Sequence, residues 1–216
     1  MTEMKKTATP ELIREYRNML ENLTPDSDLE EINSFVNEYD TMCTWFEVNG
    51  QCGVKDAAGE VIVPAMFDNI PIVLEDAQRK CMLPVEKDGK YGLVKPDGNG
   101  TMAVECTYDN IHFYNCFYYA VKDGKYGLYT MGGQEVLPVM ADKIYEPWND
   151  LVVYELNGKF GFSMLWSGIV TEAVYDGYEV EDNDDLAVTL NGKKGYLDEA
   201  GTFTEDQEEA WFNASF

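Results

Sequence analysis

Basic residues are scarce in this chain of 216 residues. Its 16 lysines and arginines stand against 40 aspartates and glutamates, which gives a formal net charge of −24. A surface with this charge repels phosphate groups, so we expect neither nucleic acid nor an anionic membrane as a partner. A basic protein partner is compatible with the charge, although solubility alone also explains it and is the simpler interpretation.

Histidine, the commonest general base and metal ligand, is also scarce. His112 is the single histidine, and the five cysteines are an odd set without a Cys-x-x-Cys pair. This argues against a disulfide framework and against a zinc site. Glycine-rich motifs for phosphate or dinucleotide binding are missing. We therefore expect no enzyme activity, no catalytic residues, no cofactor and no metal.

Long hydrophobic runs are absent as well. Lys5 and Lys6 have no apolar stretch behind them, so the amino terminus does not resemble a signal peptide, and no segment is long enough to span a bilayer. We expect a cytoplasmic protein that is a monomer or a weak oligomer. Apolar residues still make up 45% of the chain and aromatics 13%, which suffices for a folded core and is untypical of disorder.

Two helical patterns open the chain and form a lead-in, residues 1–43. In the first, Thr9 is a suitable N-cap before Pro10, and apolar residues follow at helical spacing. The second begins with a capping box at Ser27, and its apolar residues continue to Tyr39. Both patterns predict helices that cover the start of the structure behind them.

A repeat of about 34 residues dominates the rest of the chain. The heptapeptide Lys-Asp-Gly-Lys-Tyr-Gly-Leu occurs at 87–93 and again, unchanged, at 122–128, and degenerate copies begin at Asn49, Asn157 and Asn191. A second signature, an aspartate with an apolar residue two positions later, follows four copies, at Asp68, Asp109, Asp142 and Asp176. The predicted domains are the array 44–204, with copies at 44–80, 81–116, 117–150, 151–184 and 185–204, and an acidic C-terminal cap at 205–216.

These signatures resemble the WG-repeat (KWG-repeat) proteins of bacteria. That pattern runs as asparagine or aspartate, glycine, lysine, tryptophan, glycine, and later tyrosine-aspartate with an isoleucine nearby. The resemblance extends from Thr44 to Thr204, about three quarters of the chain. The family is defined by sequence and not by an activity, so the resemblance implies no particular chemistry. The signature tryptophan is replaced in every copy, by Cys52, Tyr91, Tyr126, Phe160 and Lys194.

Each Asx-Gly pair between extended apolar runs predicts a β-hairpin. A three-residue loop keeps one strand face apolar, because it places Val85 opposite Tyr91. On the other face it places Glu86 opposite Lys90, a pair of opposite charge. The expected hairpins lie at about 44–55, 83–94, 118–129, 152–163 and 186–197. The structural turn glycines, expected in the left-handed conformation, are Gly50, Gly89, Gly124, Gly158 and Gly192.

The predicted fold is mainly β. About five hairpin units stack as an open, twisted array behind two N-terminal helices, with a closed small β-propeller as the alternative. A third strand follows each hairpin, and Pro64 and Pro138 end such strands or place them at an edge. The fifth copy, with Lys194 in the aromatic position, is typical of a terminal cap.

Three further features have two interpretations each. The second glycine of each copy, such as Gly127, indicates local packing, and the alternative is a ligand groove. The repeated aspartates are expected to bond their own backbone in turns rather than to form a ladder of carboxylates. The acidic run 179–185 lacks the spacing of an EF-hand loop, so a solvated loop is favoured over a calcium site.

The predicted function is a non-catalytic interaction module that binds an unidentified protein through its repeat surface. The alternative is a glycan or a small ligand that binds along a stripe of aromatics and glycines, since aromatic faces supply contact area with few rotamers to freeze. An enzyme ranks third and would need a cleft that gathers carboxylates around His112. The candidate residues of the binding stripe are Tyr91, Tyr126, Phe160, Tyr119 and Trp148.

Overall fold

The computed structural model describes residues 5–22, 35–36, 39–71, 74–75, 78, 80–145, 147, 151–165, 167–181, 186–198 and 200–206. The chain divides into two compact units. Unit 1 comprises Met1–Ile111 with Met131–Gly133, and unit 2 comprises His112–Thr130 with Gln134–Phe216. Unit 1 therefore holds the lead-in and the first two hairpins, and unit 2 holds the other three.

The first predicted helix is confirmed as α1, Pro10–Glu21. Thr9 is its N-cap, with an extended backbone and a hydroxyl that accepts the N–H of Leu12 at 3.4 Å. Proline suits the first helical position because the N–H that it lacks would have no partner within the helix. In the described part of the chain, no helix has both the length and the apolar surface that crossing a membrane requires.

The second predicted helix falls mainly on residues outside those that the structure describes. Of its predicted length, Phe35 and Val36 are described and are helical. The ring of Phe35 stacks on Tyr16 of α1, with centroids 4.8 Å apart and planes 5° apart. This part of the lead-in therefore packs on α1.

Strands make up most of the remaining described chain. Those that begin before residue 112 are β1 (Lys6–Thr7), β2 (Tyr39–Asp40), β3 (Thr44–Val48), β4 (Gln51–Lys55), β5 (Val61–Phe67), β6 (Leu83–Lys87), β7 (Lys90–Val94), β8 (Met102–Tyr108) and β9 (Asn110–Tyr114). The later ones are β10 (Phe117–Lys122), β11 (Lys125–Thr130), β12 (Glu135–Ala141), β13 (Lys143–Ile144), β14 (Leu151–Leu156), β15 (Lys159–Met164), β16 (Gly177–Val180), β17 (Leu186–Leu190), β18 (Lys193–Leu197) and β19 (Phe203–Glu205).

The prediction of a mainly β fold built from hairpins is confirmed. The hairpins β3–β4, β6–β7, β10–β11, β14–β15 and β17–β18 lie within one residue of the predicted bounds. Apart from the short parallel pair β1–β2, the strand pairs are antiparallel. Among the described strands, no sheet closes into a barrel, and the sheet orders are β3-β4-β5, β6-β7-β8, β12-β11-β10-β9, β13-β14-β15 and β16-β17-β18-β19.

The hairpin turns have two residues, and the predicted three-residue loop is wrong. In the second hairpin Glu86 lies opposite Tyr91, which leaves only Asp88 and Gly89 in the turn. Both have positive φ, 52° and 70°, as a type I′ turn requires. The same pair of positive φ values occurs at the Asx-Gly turn of every hairpin. Asparagine and aspartate tolerate the left-handed region, so these sequences permit the shorter turn, whose twist matches that of the strands.

The shorter turn moves the register by one residue, so the predicted pairs Val85 with Tyr91 and Glu86 with Lys90 are wrong. The prediction required one apolar face and one polar face. In the structure three successive residues, Leu83–Val85, are buried, which means that both faces of β6 are covered. The position of apolar residues on one face therefore does not select the register here.

Replacing Gly124 by alanine should lower the free energy of unfolding by about 1–2 kcal/mol, the cost of a left-handed alanine. Gly124 has a φ of 74°, and a Cβ there would have no atom within 4 Å, so strain of the backbone is the whole effect. Urea denaturation measures it. A stabilisation of about 0.4–1 kcal/mol, which a glycine with ordinary dihedrals would give, would contradict the turn.

The third strands of the first three repeats, β5, β8 and β12, each carry a bulge. Between its pairings with Cys52 and Val54 of β4, β5 contains two extra residues. Pro64 lies in this bulge, and Pro138 lies in the corresponding bulge of β12. Proline is tolerated there because bulges and edge strands leave its missing N–H without a ladder partner. The two prolines thus lie within edge strands and do not end them.

Apolar side chains from neighbouring repeats form the cores within each unit. In unit 1 the buried cluster joins the first two hairpins and includes Val54, Ile62, Val63, Phe67, Leu83, Val85 and Val94. In unit 2 one cluster includes Leu128, Leu137, Ala141, Val152 and Tyr154, and another includes Val153, Phe162, Tyr175 and Val188. Burial between neighbouring repeats therefore contributes to the core of each unit.

Candidate functional site

The repeated aspartates connect consecutive repeats. Asp142 Oδ2 accepts the N–H of Asn157, the first turn residue of the next hairpin, at 2.7 Å. Its Oδ1 accepts a hydrogen bond from Nζ of Lys125, the residue after the turn of its own hairpin. One carboxylate therefore joins the turn of one repeat to the turn of the following repeat.

Other copies repeat this arrangement. Asp68 accepts the N–H of Asp88 at 2.7 Å, and Asp176 accepts the N–H of Gly192 at 3.2 Å. The prediction that these aspartates bond their own backbone is wrong for Asp68, Asp142 and Asp176, because each side chain binds the turn of the next hairpin. The lysine contact recurs in three further copies, as Lys90 with Asp109, Lys159 with Asp176 and Lys193 with Glu205.

After each aspartate the chain adds an outer strand to the next hairpin. Lys143 of β13 lies opposite Glu155 of β14, and Gly177 of β16 lies opposite Thr189 of β17. In unit 1 an isolated bridge joins Asn69 to Glu86 of β6. The second signature of the repeat thus marks a linking strand, which pairs with the next hairpin. Its aspartate binds the turn of that hairpin.

These contacts make the carboxylates of Asp142 and Asp176 more acidic. A hydrogen bond from the lysine ammonium and a second from the next turn lower the pKa of each carboxyl below its usual value. A carboxylate with a depressed folded-state pKa contributes stability above its unfolded pKa of about 4, and that stability is lost as pH falls through the folded pKa.

The thermal unfolding midpoint should therefore fall as the pH is lowered from about 5 to about 3. Asp142→Asn combined with Asp176→Asn should reduce the slope of this fall, because neutral amides do not titrate. Differential scanning calorimetry across this range measures both chains. An identical slope in the two chains would mean that the aspartates contribute no pH-dependent stability.

The second glycine of each copy is covered by other residues of the same repeat. A Cβ on Gly92 would lie 2.5 Å from the carbonyl oxygen of Val104 and 2.8 Å from the amide nitrogen of Cys106, both in the bulged third strand. On Gly161 it would overlap the ring of Tyr154, which lies directly opposite. The space above these glycines is filled by packing, so a ligand groove does not fit there.

The signature aromatics do not form one stripe. The Tyr91 hydroxyl donates a hydrogen bond to Glu86 at 3.0 Å, and this bond together with burial raises the pKa of Tyr91. Phe160 packs edge-on against Tyr178, with ring centroids 5.2 Å apart, in a cluster that includes Tyr145. Trp148 lies outside the described residues. Of the candidate residues, the structure brings only Tyr119 and Tyr126 to a common pocket.

That pocket lies in unit 2 and has a volume of about 390 Å³. Its lining residues come from β9, β10, β11 and the linking strand β13, and they are His112, Tyr114, Tyr119, Tyr126, Asp142, Lys143 and Ile144. We call it the aromatic pocket. It brings residues of the third repeat next to Asp142, whose carboxylate binds the turn of the fourth repeat.

Stacked rings form one part of the aromatic pocket. The imidazole of His112 stacks on Tyr119, with centroids 5.2 Å apart and planes 14° apart. Tyr119 is buried, whereas Tyr114 is 53% exposed and its ring is tilted towards Tyr119 at a centroid distance of 6.3 Å. The β9–β10 turn that carries these rings has positive φ at Asn115 and Cys116, 46° and 64°. The pocket thus offers tyrosine faces at an accessible surface.

The two charged side chains that line the aromatic pocket, Asp142 and Lys143, are already engaged. Asp142 is the only carboxylate among the lining residues, and it holds Lys125 and the Asn157 N–H. The ammonium of Lys143 lies 4.1 Å from the ring centroid of Tyr145. The lining residues of this pocket therefore do not gather carboxylates from several repeats around His112.

The described part of the acidic run is used within the fold. Glu181 Oε1 accepts Nζ of Lys194 at 2.7 Å, and Glu181 Oε2 accepts the hydroxyl of Tyr196 at 3.1 Å. The Glu181 contact raises the pKa of Lys194, and the ammonium lowers the pKa of Glu181. Residues 182–185 lie outside the described residues, and the described ones contain no group of three potential metal ligands. In the fifth copy an ion pair thus replaces the signature aromatic.

No family model and no curated protein matches the sequence. Kluyveromyces lactis Hsv2 is similar at a TM-score of 0.30 and 11% identity, over 76% of this chain and 59% of that chain. KlHsv2 with loop 6CD replaced by a Gly-Ser linker gives 0.30 and 12%, over 76% and 62%. A eukaryotic initiation factor gives 0.32 and 8%, over 76% and 51%. The chain spans less than two thirds of each structure, and likeness this distant carries no argument about function.

Proposed function

We propose that this chain is a non-catalytic interaction module, a cytoplasmic WG-repeat protein that binds a protein partner through the surface of its β-repeats. The aromatic pocket carries the proposal. It exposes Tyr114 beside the stacked rings of His112 and Tyr119, and tyrosines in such pockets are typical anchors of protein interfaces. The engaged state of Asp142 supports a binding role for the pocket over a catalytic one.

A basic partner fits the chain best. The net charge of −24 attracts cationic proteins and accelerates their association. The faces of Tyr114 and Tyr126 suit the guanidinium of an arginine, which binds aromatic faces through their quadrupole. We therefore expect an arginine-bearing segment of the partner to enter the aromatic pocket.

A glycan or small ligand is the second candidate. The nearly parallel rings of His112 and Tyr119, with Tyr114 tilted beside them, present flat apolar faces on which a planar or cyclic ligand packs. This candidate is limited to the aromatic pocket, because packing fills the space above the second glycines.

Affinity capture with three variants tests the proposal. Tyr114→Ala and Tyr126→Ala should each weaken binding of a captured partner about thirtyfold, the effect of losing an interface anchor. Tyr91→Ala is the matched control, since Tyr91 has the same repeat position as Tyr126 but lies in unit 1. Retention of the partner by both pocket variants would reject the site, and equal loss in all three would indicate the signature aromatic position of the repeats instead.

Competition distinguishes the second candidate. Binding of a protein partner should be insensitive to an excess of simple saccharides and should weaken with salt, because charge attraction contributes to it. Direct binding of a saccharide to the pocket, measured by calorimetry and lost in Tyr114→Ala, would favour the glycan candidate.

A further inference from the structure

Among the described residues, the first hairpin has no outer strand of the kind that later hairpins receive. β14 pairs with the linking strand β13, β17 pairs with β16, and β6 is bridged by Asn69. In the sheet β3-β4-β5, β3 is an edge, and no strand among the described residues pairs with its free side. We call this free side the β3 edge.

Main-chain groups of the β3 edge point outwards without partners among the described residues. Val48 lies opposite Gln51 and closes the turn, so strand alternation directs the N–H and C=O groups of Trp45 and Glu47 away from β4. These groups and the N–H of Asn49 form no hydrogen bond with any residue that the structure describes.

The equivalent groups of the second hairpin show what such an edge binds. Glu86, which corresponds to Glu47, donates its N–H to the carbonyl of Asn69 at 2.8 Å and accepts the N–H of Asp68 at 2.9 Å. The N–H of Asp88, which corresponds to Asn49, is bound by the Asp68 carboxylate. The β3 edge thus presents the same donors and acceptor, unoccupied by described residues.

Side-chain burial shows the same difference. Trp45 is 59% exposed, whereas Val153 and Ala187, at the corresponding positions of later hairpins, are 7% and 2% exposed. Pro84 at this position of the second hairpin is also buried. An exposed tryptophan on an open edge strand is a typical anchor for an added strand, because it combines apolar area with free ladder groups.

We propose that the β3 edge binds an extended segment of a partner protein, which adds as an antiparallel strand and carries an aspartate with an apolar residue two positions later. The aspartate would accept the Asn49 N–H. The residue after it would pair with Glu47, and the apolar residue would face Phe46. The segments that fill equivalent edges in this chain have this pattern: Asp68-Asn69-Ile70, Asp142-Lys143-Ile144 and Asp176-Gly177-Tyr178.

A partner protein is a better source of this strand than a second copy of the chain. The three segments Asp68–Ile70, Asp142–Ile144 and Asp176–Tyr178 are already bonded to hairpins of their own chain. A second copy would have to break those contacts to donate one of them. The β3 edge lies in unit 1 and shares no residue with the aromatic pocket. Each of the two binding sites can therefore be tested and rejected independently of the other.

A peptide titration with the full chain tests the proposal. The probe is a fluorescein-labelled, terminally blocked peptide with the sequence of residues 139–145, Val-Met-Ala-Asp-Lys-Ile-Tyr, followed by anisotropy. We expect saturable binding, and about tenfold weaker binding of the peptide with Asp replaced by Asn, which loses a charge-assisted hydrogen bond.

Two variants of the chain locate the site. Trp45→Ser should weaken binding at least tenfold, because it removes the anchor. Glu47→Pro should abolish binding, since proline removes an outward N–H and leaves the β3–β4 ladder intact. Val61→Ser is the matched control, an exposed apolar residue on the opposite edge strand β5 that should not alter the affinity. Tyr126→Ala should not alter it either.

The same measurements can overturn the proposal that the β3 edge binds a partner's strand. Absence of saturable binding up to millimolar protein would reject it, as would unchanged binding by Trp45→Ser at an unchanged melting temperature. Trp45→Ser alone decides if Glu47→Pro unfolds the hairpin. A dimer in sedimentation velocity that Trp45→Ser dissociates would show that a second copy occupies the edge, which also overturns the proposal.

Discussion

Gly92→Ala is expected to lower the free energy of unfolding by about 2–3 kcal/mol, because the added methyl group has no space. The atoms that it would meet, the carbonyl oxygen of Val104 and the amide nitrogen of Cys106, belong to the backbone of β8 and cannot rotate away. The bulge of the third strand would have to lift from the hairpin. Urea denaturation measures the loss, which should exceed that of the turn variant Gly124→Ala.

Gly177→Ala is the matched control for this effect. Gly177 also lies in a strand, β16, and a Cβ on it would have no atom within 4 Å. Its replacement should be neutral or stabilise by about 0.4–1 kcal/mol through the unfolded chain. If Gly92→Ala were as harmless as Gly177→Ala, the space above the second glycine would be open and a ligand groove would again be possible.

Deletion of residues 1–40 is expected to make the chain aggregate and to lower its melting temperature. Ile13 and Tyr16 of α1 are fully buried, and Arg17 forms an ion pair with Asp56 of the first repeat at 2.6 Å. The Asp56 side chain is 1% exposed, so without Arg17 it is a buried carboxylate that lacks its cation. Removing one partner of a buried ion pair costs about 3–5 kcal/mol, and terminal repeats need a cover.

Light scattering with size-exclusion chromatography and thermal unfolding measure the effect of the truncation. Arg17→Met isolates the ion pair within the full chain, and Arg14→Met is its control, since the Arg14 side chain is 55% exposed beside Glu60. We expect a large loss of stability for Arg17→Met and almost none for Arg14→Met. A truncated chain that stays monomeric and equally stable would show that the lead-in is an independent appendage.

The hairpins were predictable from the sequence, whereas their register was not. An Asx-Gly pair between apolar runs is a local signal, and a type I′ turn depends only on the residues within it. Register depends on which faces are covered. Because Leu83–Val85 are buried in succession, the pattern of apolar residues fits two registers equally well.

The role of the repeated aspartates depends on contacts that are distant in sequence. Asp142 holds the N–H of Asn157, 15 residues away, and Asp68 holds that of Asp88, 20 residues away. No local motif indicates such a partner, so the preference of aspartate for bonding its own turn led to the wrong prediction. The recurrence of the aspartate in four copies was the available signal.

The aromatic pocket was predictable only in its parts. Tyr126 was a candidate because it occupies the signature aromatic position, and Tyr119 because the chain has more aromatics than a small β array must bury. Their meeting with His112 and Lys143 requires the linking strand to return beside the third hairpin, which only the paired sheets bring about. Phe160 and Tyr91 have the same repeat position as Tyr126 but different neighbours, so one position in the repeat does not imply one role.

Amide hydrogen exchange at the hairpin turns is the most direct measurement of how the repeats are joined. Asp68, Asp142 and Asp176 each bind the turn of the following repeat. Asp142→Ala should therefore accelerate exchange of the Asn157 amide and leave the amide of Gly192, held by Asp176, unchanged. In the unmodified chain the Asn49 amide should exchange fastest of the turn amides. Protection of Asn157 that persists in Asp142→Ala, or protection of Asn49 equal to that of Asn157, would contradict the claim.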